Sequence, residues 1–164
     1  MNEKLDKYLC EKYPKIFVER TKSAMDSCMG RGFGCGNGWF YIIDSLCHSI
    51  QEYIDSHNEY LQEGKTPVPQ FVAEQVKEKF GAFRIYYTGG DDCCRGLVDM
   101  AECMSYRVCE NCGAFGKDVG RTEKGWVQSL CTECAEMLGK DIVYNEELRT
   151  LVKSAGKERT NANG

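Results

Sequence analysis

The sequence predicts an α+β fold, in which several helices pack with a short antiparallel β-hairpin and a small four-cysteine module closes the C-terminal side. Three observations carry this expectation. Residues 39–57 repeat apolar side chains every three or four positions, the period of a helix buried on one side. Residues 83–87, Phe-Arg-Ile-Tyr-Tyr, are β-rich and alternate, with Gly81 just before them as a turn. Cys109, Cys112, Cys131 and Cys134 form two C-x-x-C knuckles with eighteen residues between them. That spacing makes the last element a four-cysteine, zinc-ribbon-like module, since two tight turns can bring four thiolates to one tetrahedral Zn²⁺.

From the N-terminus, residues 3–12 and 15–25 read as two short helices divided by Pro14, with Leu5, Tyr8, Leu9, Ile16 and Phe17 on the apolar side. Residues 29–38 hold five glycines and read as a loop. Glycine amides can approach an anion closely, but no Gly-Lys-Ser/Thr follows, so a turn or a docking loop stands against a phosphate cradle. In the helix at 39–57, Trp39, Ile43, Leu46, Ile50 and Ile54 make the stripe, with Phe40, Ile42 and Cys47 beside it. Gly64, Pro67 and Pro69 punctuate a linker at 58–70.

Residues 71–80 fit either a helix face or a strand, and a hairpin turning near Gly81 is the reading adopted. On that hairpin Phe83, Ile85 and Tyr87 share the buried face, leaving Arg84 and Tyr86 on the other. Asp91 and Asp92 can cap a helix to about Tyr106, with Leu97, Val98, Ala101 and Met104 inward. A last helix is expected over 141–153. The organisation is then a helical and hairpin domain at 1–106, the zinc-ribbon-like module at 107–137, a C-terminal helix within 138–153 and a flexible tail at 154–164.

The formal charge of −4 argues against a general nucleic-acid coat, although a local basic face is compatible with it. No apolar run is long enough for a membrane span and no signal core opens the chain, so a cytoplasmic protein with no membrane partner is expected. Without secretion, eleven cysteines suggest reduced thiols and metal rather than disulfides. Cys10, Cys47 and Cys103 read as small core or boundary residues. Cys28, Cys35, Cys93 and Cys94 lack ligand spacing, and His48 and His57 stand alone. A closed four-thiolate site is structural as a rule, which leaves catalysis without an open metal position. Hydrolase, metalloprotease, P-loop and deaminase motifs are absent, so no catalytic residue is assigned.

Four blocks in order add a resemblance: GNGWFYIIDSLC at 36–47, QVKEKFGAFRIYY at 75–87, GLVDMAECMS at 96–105 and CENCG at 109–113. Together they resemble a family of small uncharacterised tailed-bacteriophage and prophage proteins. The resemblance covers about residues 30–135 and implies an accessory protein in the bacterial host cytoplasm, where such genes often counter host defence. Cys93, Cys94 and Cys103 depart from the pattern.

Two functions follow as expectations. The first is a non-catalytic binding protein with a structural zinc, whose partner is a host protein or a small nucleotide signal. Its ligand site would use Lys77, Lys79, Arg84 and Tyr86 with Gly34 and Gly36, a basic and aromatic block that can stack a base and meet a phosphate. The alternative is a nucleic-acid-binding ribbon, with Lys117, Arg121, Lys124 and Trp126 contacting phosphate and base.

Overall fold

The computed structural model describes residues 1–116, 118–147, 149–150, 152 and 154. Helix α1 spans Glu3–Lys12, and Asn2 caps it by accepting the Leu5 amide. The helix expected at 15–25 is replaced by a turn and a short 3₁₀ segment, Val18–Thr21. The reason is tertiary: the Ile16 carbonyl accepts the Ala73 amide at 2.9 Å, so it serves a strand rather than a helical turn. Two more 3₁₀ segments, Cys28–Arg31 and Asn37–Trp39, fold the glycine loop and lead into helix α2, Phe40–Glu59. Ile42, Ile43, Leu46, Cys47, Ile50 and Ile54 are its buried stripe.

Strands β1, Val72–Lys79, and β2, Ala82–Thr88, form the expected antiparallel hairpin. Lys79 pairs with Ala82, leaving Phe80 and Gly81 as a two-residue turn with φ of 55° and 76°. Such turns match strand twist but favour Asn-Gly, because glycine, and among other residues Asn, adopts positive φ most readily. A bulge between Ala73 and Gln75 moves the buried face from Phe71 and Ala73 to Val76 and Glu78. That change of parity is why residues 71–80 fit no single period.

Helix α3, Asp92–Ser105, starts where Asp91 Oδ1 accepts the amides of Cys93 and Cys94 at 3.0 and 3.1 Å. Cys94, Val98, Ala101 and Ser105 face inward, whereas Met104, expected inside, is exposed beside Met100. The main core joins α1, α2, α3 and the hairpin around Trp39, Phe71 and Phe83.

The C-terminal part is a three-stranded antiparallel sheet in the order β4, β3, β5, comprising Ser129–Cys131, Val119–Thr122 and Ile142–Val143. Helix α4, Thr132–Met137, follows β4 directly. The helix expected from residue 141 thus yields its first residues to a strand: Val143 pairs with Arg121 and Ile142 with Thr122. Helical backbone begins only at 146 among the described residues, and the tail at 155–164 lies outside them. Cys109, Leu130, Cys131, Cys134 and Ala135 form a second, smaller core here. No helix among the described residues is long and apolar enough to cross a membrane.

Candidate functional site

The two knuckles meet because strand pairing carries one to the other. Cys131 ends β4 and caps α4, and Cys134 lies in the first turn of that helix. Cys109 and Cys112 flank a tight turn that Gly113 leaves at φ 84°. All four sulfurs lie within 4.8 Å of one another, and those of Cys112 and Cys131 are 3.7 Å apart. A tetrahedral site with metal–sulfur bonds of about 2.3 Å has sulfur–sulfur edges of about 3.8 Å. The cluster has the dimensions to bind a metal. No other group of Cys, His, Asp or Glu among the described residues converges in this way.

Hydrogen bonds and burial act on these sulfurs in opposite directions. Asn111 Nδ2 donates to Cys134 Sγ at 3.2 Å. Burial opposes ionisation of Cys109 most strongly, yet the amides of Cys112, Cys131 and Asn111 bring its thiol below the ordinary value. For Cys112 burial prevails, and with protons shared among the sulfurs it pushes the thiol up to about 12. Four crowded thiols cannot all ionise without a cation, and a bound metal supplies that charge and displaces the protons.

The glycine loop is built onto the first knuckle. A Cβ on Gly38 would lie 2.1 Å from the Cys109 carbonyl, and one on Gly36 would lie 2.2 Å from the Glu110 carbonyl. The Gly38 amide donates to the Glu110 carbonyl at 2.8 Å. Gly34 bridges β1, donating to Val76 and accepting from Glu78, each at 2.9 Å. The Gly36 amide donates to Glu110 Oε1 at 3.0 Å. The amides of Gly34 and Gly36 are thus committed internally, and the loop is a docking strap rather than an open phosphate cradle.

Arg84 and Tyr86 do not form a free pair. Arg84 is 3.1 Å from Glu102, donates to the Phe83 carbonyl at 2.8 Å and reaches Tyr106 Oη at 3.4 Å. Lys77 covers the Tyr86 ring at 5.0 Å, and Lys79 lies 5.7 Å from the centre of the Phe80 ring. Lys124 and Trp126 occupy the exposed tip between β3 and β4, and Lys117 lies outside the described residues.

Tertiary folding brings the two expected sites side by side. Arg121 donates to the Phe80 carbonyl, and Ser129 Oγ donates to the Gly81 carbonyl at 2.6 Å in a buried contact. The tip of the first hairpin therefore rests on the ribbon.

The chain matches no family model, no curated protein and no solved structure.

Beyond Arg121 opens a cleft of about 510 Å³, lined by Tyr106, Arg107, Phe115, Arg121, Tyr144 and Arg149, among others. Arg121 lies 5.6 Å from the Tyr106 ring centre, and Arg149 lies 4.1 Å from that of Tyr144. Arg149 is ion-paired with Asp118 and Glu146, but its buried Nε has no hydrogen-bond partner among the described residues. Of these residues the sequence singles out only Arg121. The others are separated by up to dozens of positions, and the local signals at 106–107 and 144–149 are no more than an arginine near a tyrosine.

Proposed function

We propose that this chain is a non-catalytic binding protein, a phage accessory factor of the bacterial cytoplasm, that takes a small planar anion of nucleotide type. The observation that carries the reading is the convergence of Arg107, Arg121 and Arg149 with Tyr106, Tyr144 and Phe115 on one cleft. Guanidinium groups match phosphate geometry and aromatic faces match a base. The volume falls within the ordinary range for ligand pockets, about 300–1,000 Å³. A nucleotide signal of host antiphage defence fits this chemistry. The cleft is preferred to Arg84 and Tyr86 because it is concave and gathers three guanidinium groups, even though Arg121 and Arg149 have internal partners of their own.

Zn²⁺ is the metal proposed for Cys109, Cys112, Cys131 and Cys134, because a tetrahedral four-thiolate set suits zinc. When bound, it supplies a cross-link between the two knuckles. With four protein ligands it has no open position, and three of the cysteines are buried. Its proposed role is to hold β3, β4 and the segment at 106–116, and hence the cleft walls, in place.

The test is calorimetric titration of the zinc-loaded protein with nucleoside monophosphates, triphosphates and cyclic dinucleotides. Binding by at least one class is expected, weakened about tenfold or more by Arg107→Ala, as for loss of a charge-assisted phosphate contact. Arg95→Ala, on the exposed face of α3 and away from the cleft, should leave affinity unchanged. Absence of binding across the panel, or binding indifferent to Arg107, overturns the reading.

One observation favours a second reading, a single-stranded nucleic acid. Phe80 and Trp126 are 68% and 70% exposed on the tips of two contacting hairpins, with Lys79 and Lys124 beside them. Anisotropy with labelled oligonucleotides across salt concentrations would then show a steep salt dependence and a loss with Trp126→Ala.

A further inference from the structure

A second concave surface lies on the other side of Phe115. Helices α2 and α3 leave between them an apolar groove of about 290 Å³. Tyr41, Met100, Met104 and Phe115 line it while being 77%, 56%, 43% and 69% exposed, and Leu46 and Leu97 lie deeper. Phe115 also lines the arginine cleft, so the groove and the cleft share one wall.

The two helices run in opposite directions. Tyr53, late in α2, donates to Asp91 at the start of α3 at 2.6 Å. Gly38 and Tyr41, at the other end, share the groove with Met104 and Val108. The wall from Tyr41 to Ser49 is about 12 Å long at 1.5 Å per residue, or about two turns of a docked helix. Methionine side chains are flexible and polarisable, and suit a surface that moulds itself to apolar knobs.

Charge identifies the occupant. Helix α2 carries Asp44, Glu52, Asp55 and Glu59 and no lysine or arginine. Asp91, Asp92, Asp99 and Glu102 accompany α3 against the single Arg95. Lys12 neutralises Asp44, Lys15 neutralises Asp55 and Arg84 neutralises Glu102. Glu52 remains one turn beyond Ser49 on the groove side of α2, and Asp91 stands at the same end beside the Asp92–Arg95 ion pair. An apolar channel with an acidic end favours a chain that is apolar along one stripe and cationic beside it. A second copy of this protein would bring its own acidic helices against these.

We infer that the α2–α3 groove is a docking site for a basic amphipathic helix of a partner protein. Two bulky apolar residues spaced by three or four positions enter between Tyr41 and Met104, and lysine or arginine follows toward Glu52. The site is separate in ligand class from the arginine cleft and stands without it.

The experiment uses the full-length metal-loaded protein and a labelled synthetic peptide of about 14 residues, four turns of helix, with Leu and Trp at i, i+3 and i+7 among Lys and Ala. A scrambled peptide of the same composition and an acidic analogue with Glu for Lys are the controls. The patterned basic peptide should bind at least about tenfold more tightly than either control. Met100→Asp and Glu52→Lys should each weaken it about tenfold or more, while far-ultraviolet dichroism and metal content stay unchanged. Arg107→Ala should not weaken it, which separates this site from the cleft. Equal binding of scrambled and patterned peptides, or indifference to Met100→Asp, overturns the inference. So does a dimer in sedimentation that Met100→Asp dissolves, because the occupant is then a second copy.

Discussion

The indole N–H of Trp39 donates to the carbonyl of Val108 at 3.0 Å inside the core, one residue before the first cysteine of the four-cysteine cluster. Trp39 is fully buried and packs edge-on against Phe83 at 6.3 Å. One side chain thus ties the start of α2, the hairpin and the first knuckle together. Loss of order at the knuckle has a direct route into the main core.

Metal removal should therefore be visible at Trp39. In a Trp126→Phe background, which leaves Trp39 as the remaining indole, chelation should shift emission to the red and lower the melting temperature. The Zn²⁺ released should equal one per chain. Cys112→Ser should reproduce the effect without chelator. Retention should weaken as pH falls, because protons compete for the thiolates. Metal analysis and chelator competition provide the measurement, and a chain with no stoichiometric metal contradicts the assignment.

Two glycines should behave oppositely. Gly38→Ala forces a Cβ to 2.1 Å from the Cys109 carbonyl and 2.4 Å from the Gly113 amide, both backbone atoms, and should cost several kcal/mol, about as much as core overpacking or more. Gly96, in the middle of α3, has open space where its Cβ would stand. Gly96→Ala should stabilise by about 0.5–1 kcal/mol through helix propensity. Denaturant midpoints of the two variants decide this.

Phe80 holds φ 55° while 68% exposed, so its ring gains little from burial. Phe80→Asn supplies the residue that this turn favours and should stabilise by up to about 1 kcal/mol. If the exposed ring serves to stack a base, the same variant weakens oligonucleotide binding. Stability and binding then move in opposite directions.

Glu102 is raised above its ordinary carboxylate value, burial outweighing the Arg84 guanidinium 3.1 Å away, with Asp99 adding to the shift. An acid with a raised folded pKa binds its proton more readily when folded. Its contribution is complete below the unfolded value of 4.5 and is lost as pH rises through the folded value. Glu102→Gln, which mimics the protonated form, should gain on the native protein as pH climbs through that window. Urea midpoints from about pH 4, below the unfolded value, up to about pH 7 test it; a native protein that gains instead means the ion pair prevails.

Much of the fold was legible because its signals are local. The α2 stripe, the Gly81 turn, the Asp91 cap and the paired knuckles each reside within one or two turns of chain, where propensity and spacing act directly. The misread segments are those where a distant partner decides. Ile16 gives its carbonyl to Ala73, and Ile142 and Val143 pair with β3 before the last helix begins.

By itself the sequence determined the hairpin, the helices beside it and a four-cysteine site with metal-binding spacing. Only the tertiary structure decided what surrounds that site. It committed the amides of Gly34 and Gly36 to Val76 and Glu110, and paired Arg84 with Glu102. It also gathered Arg107, Arg121 and Arg149 around one cleft, and turned Met100 and Met104 outward beside Tyr41. The reason is physical. A thiolate cluster is specified by short spacing along the chain, whereas a cleft or groove is specified by which surfaces remain after long-range packing has taken its partners.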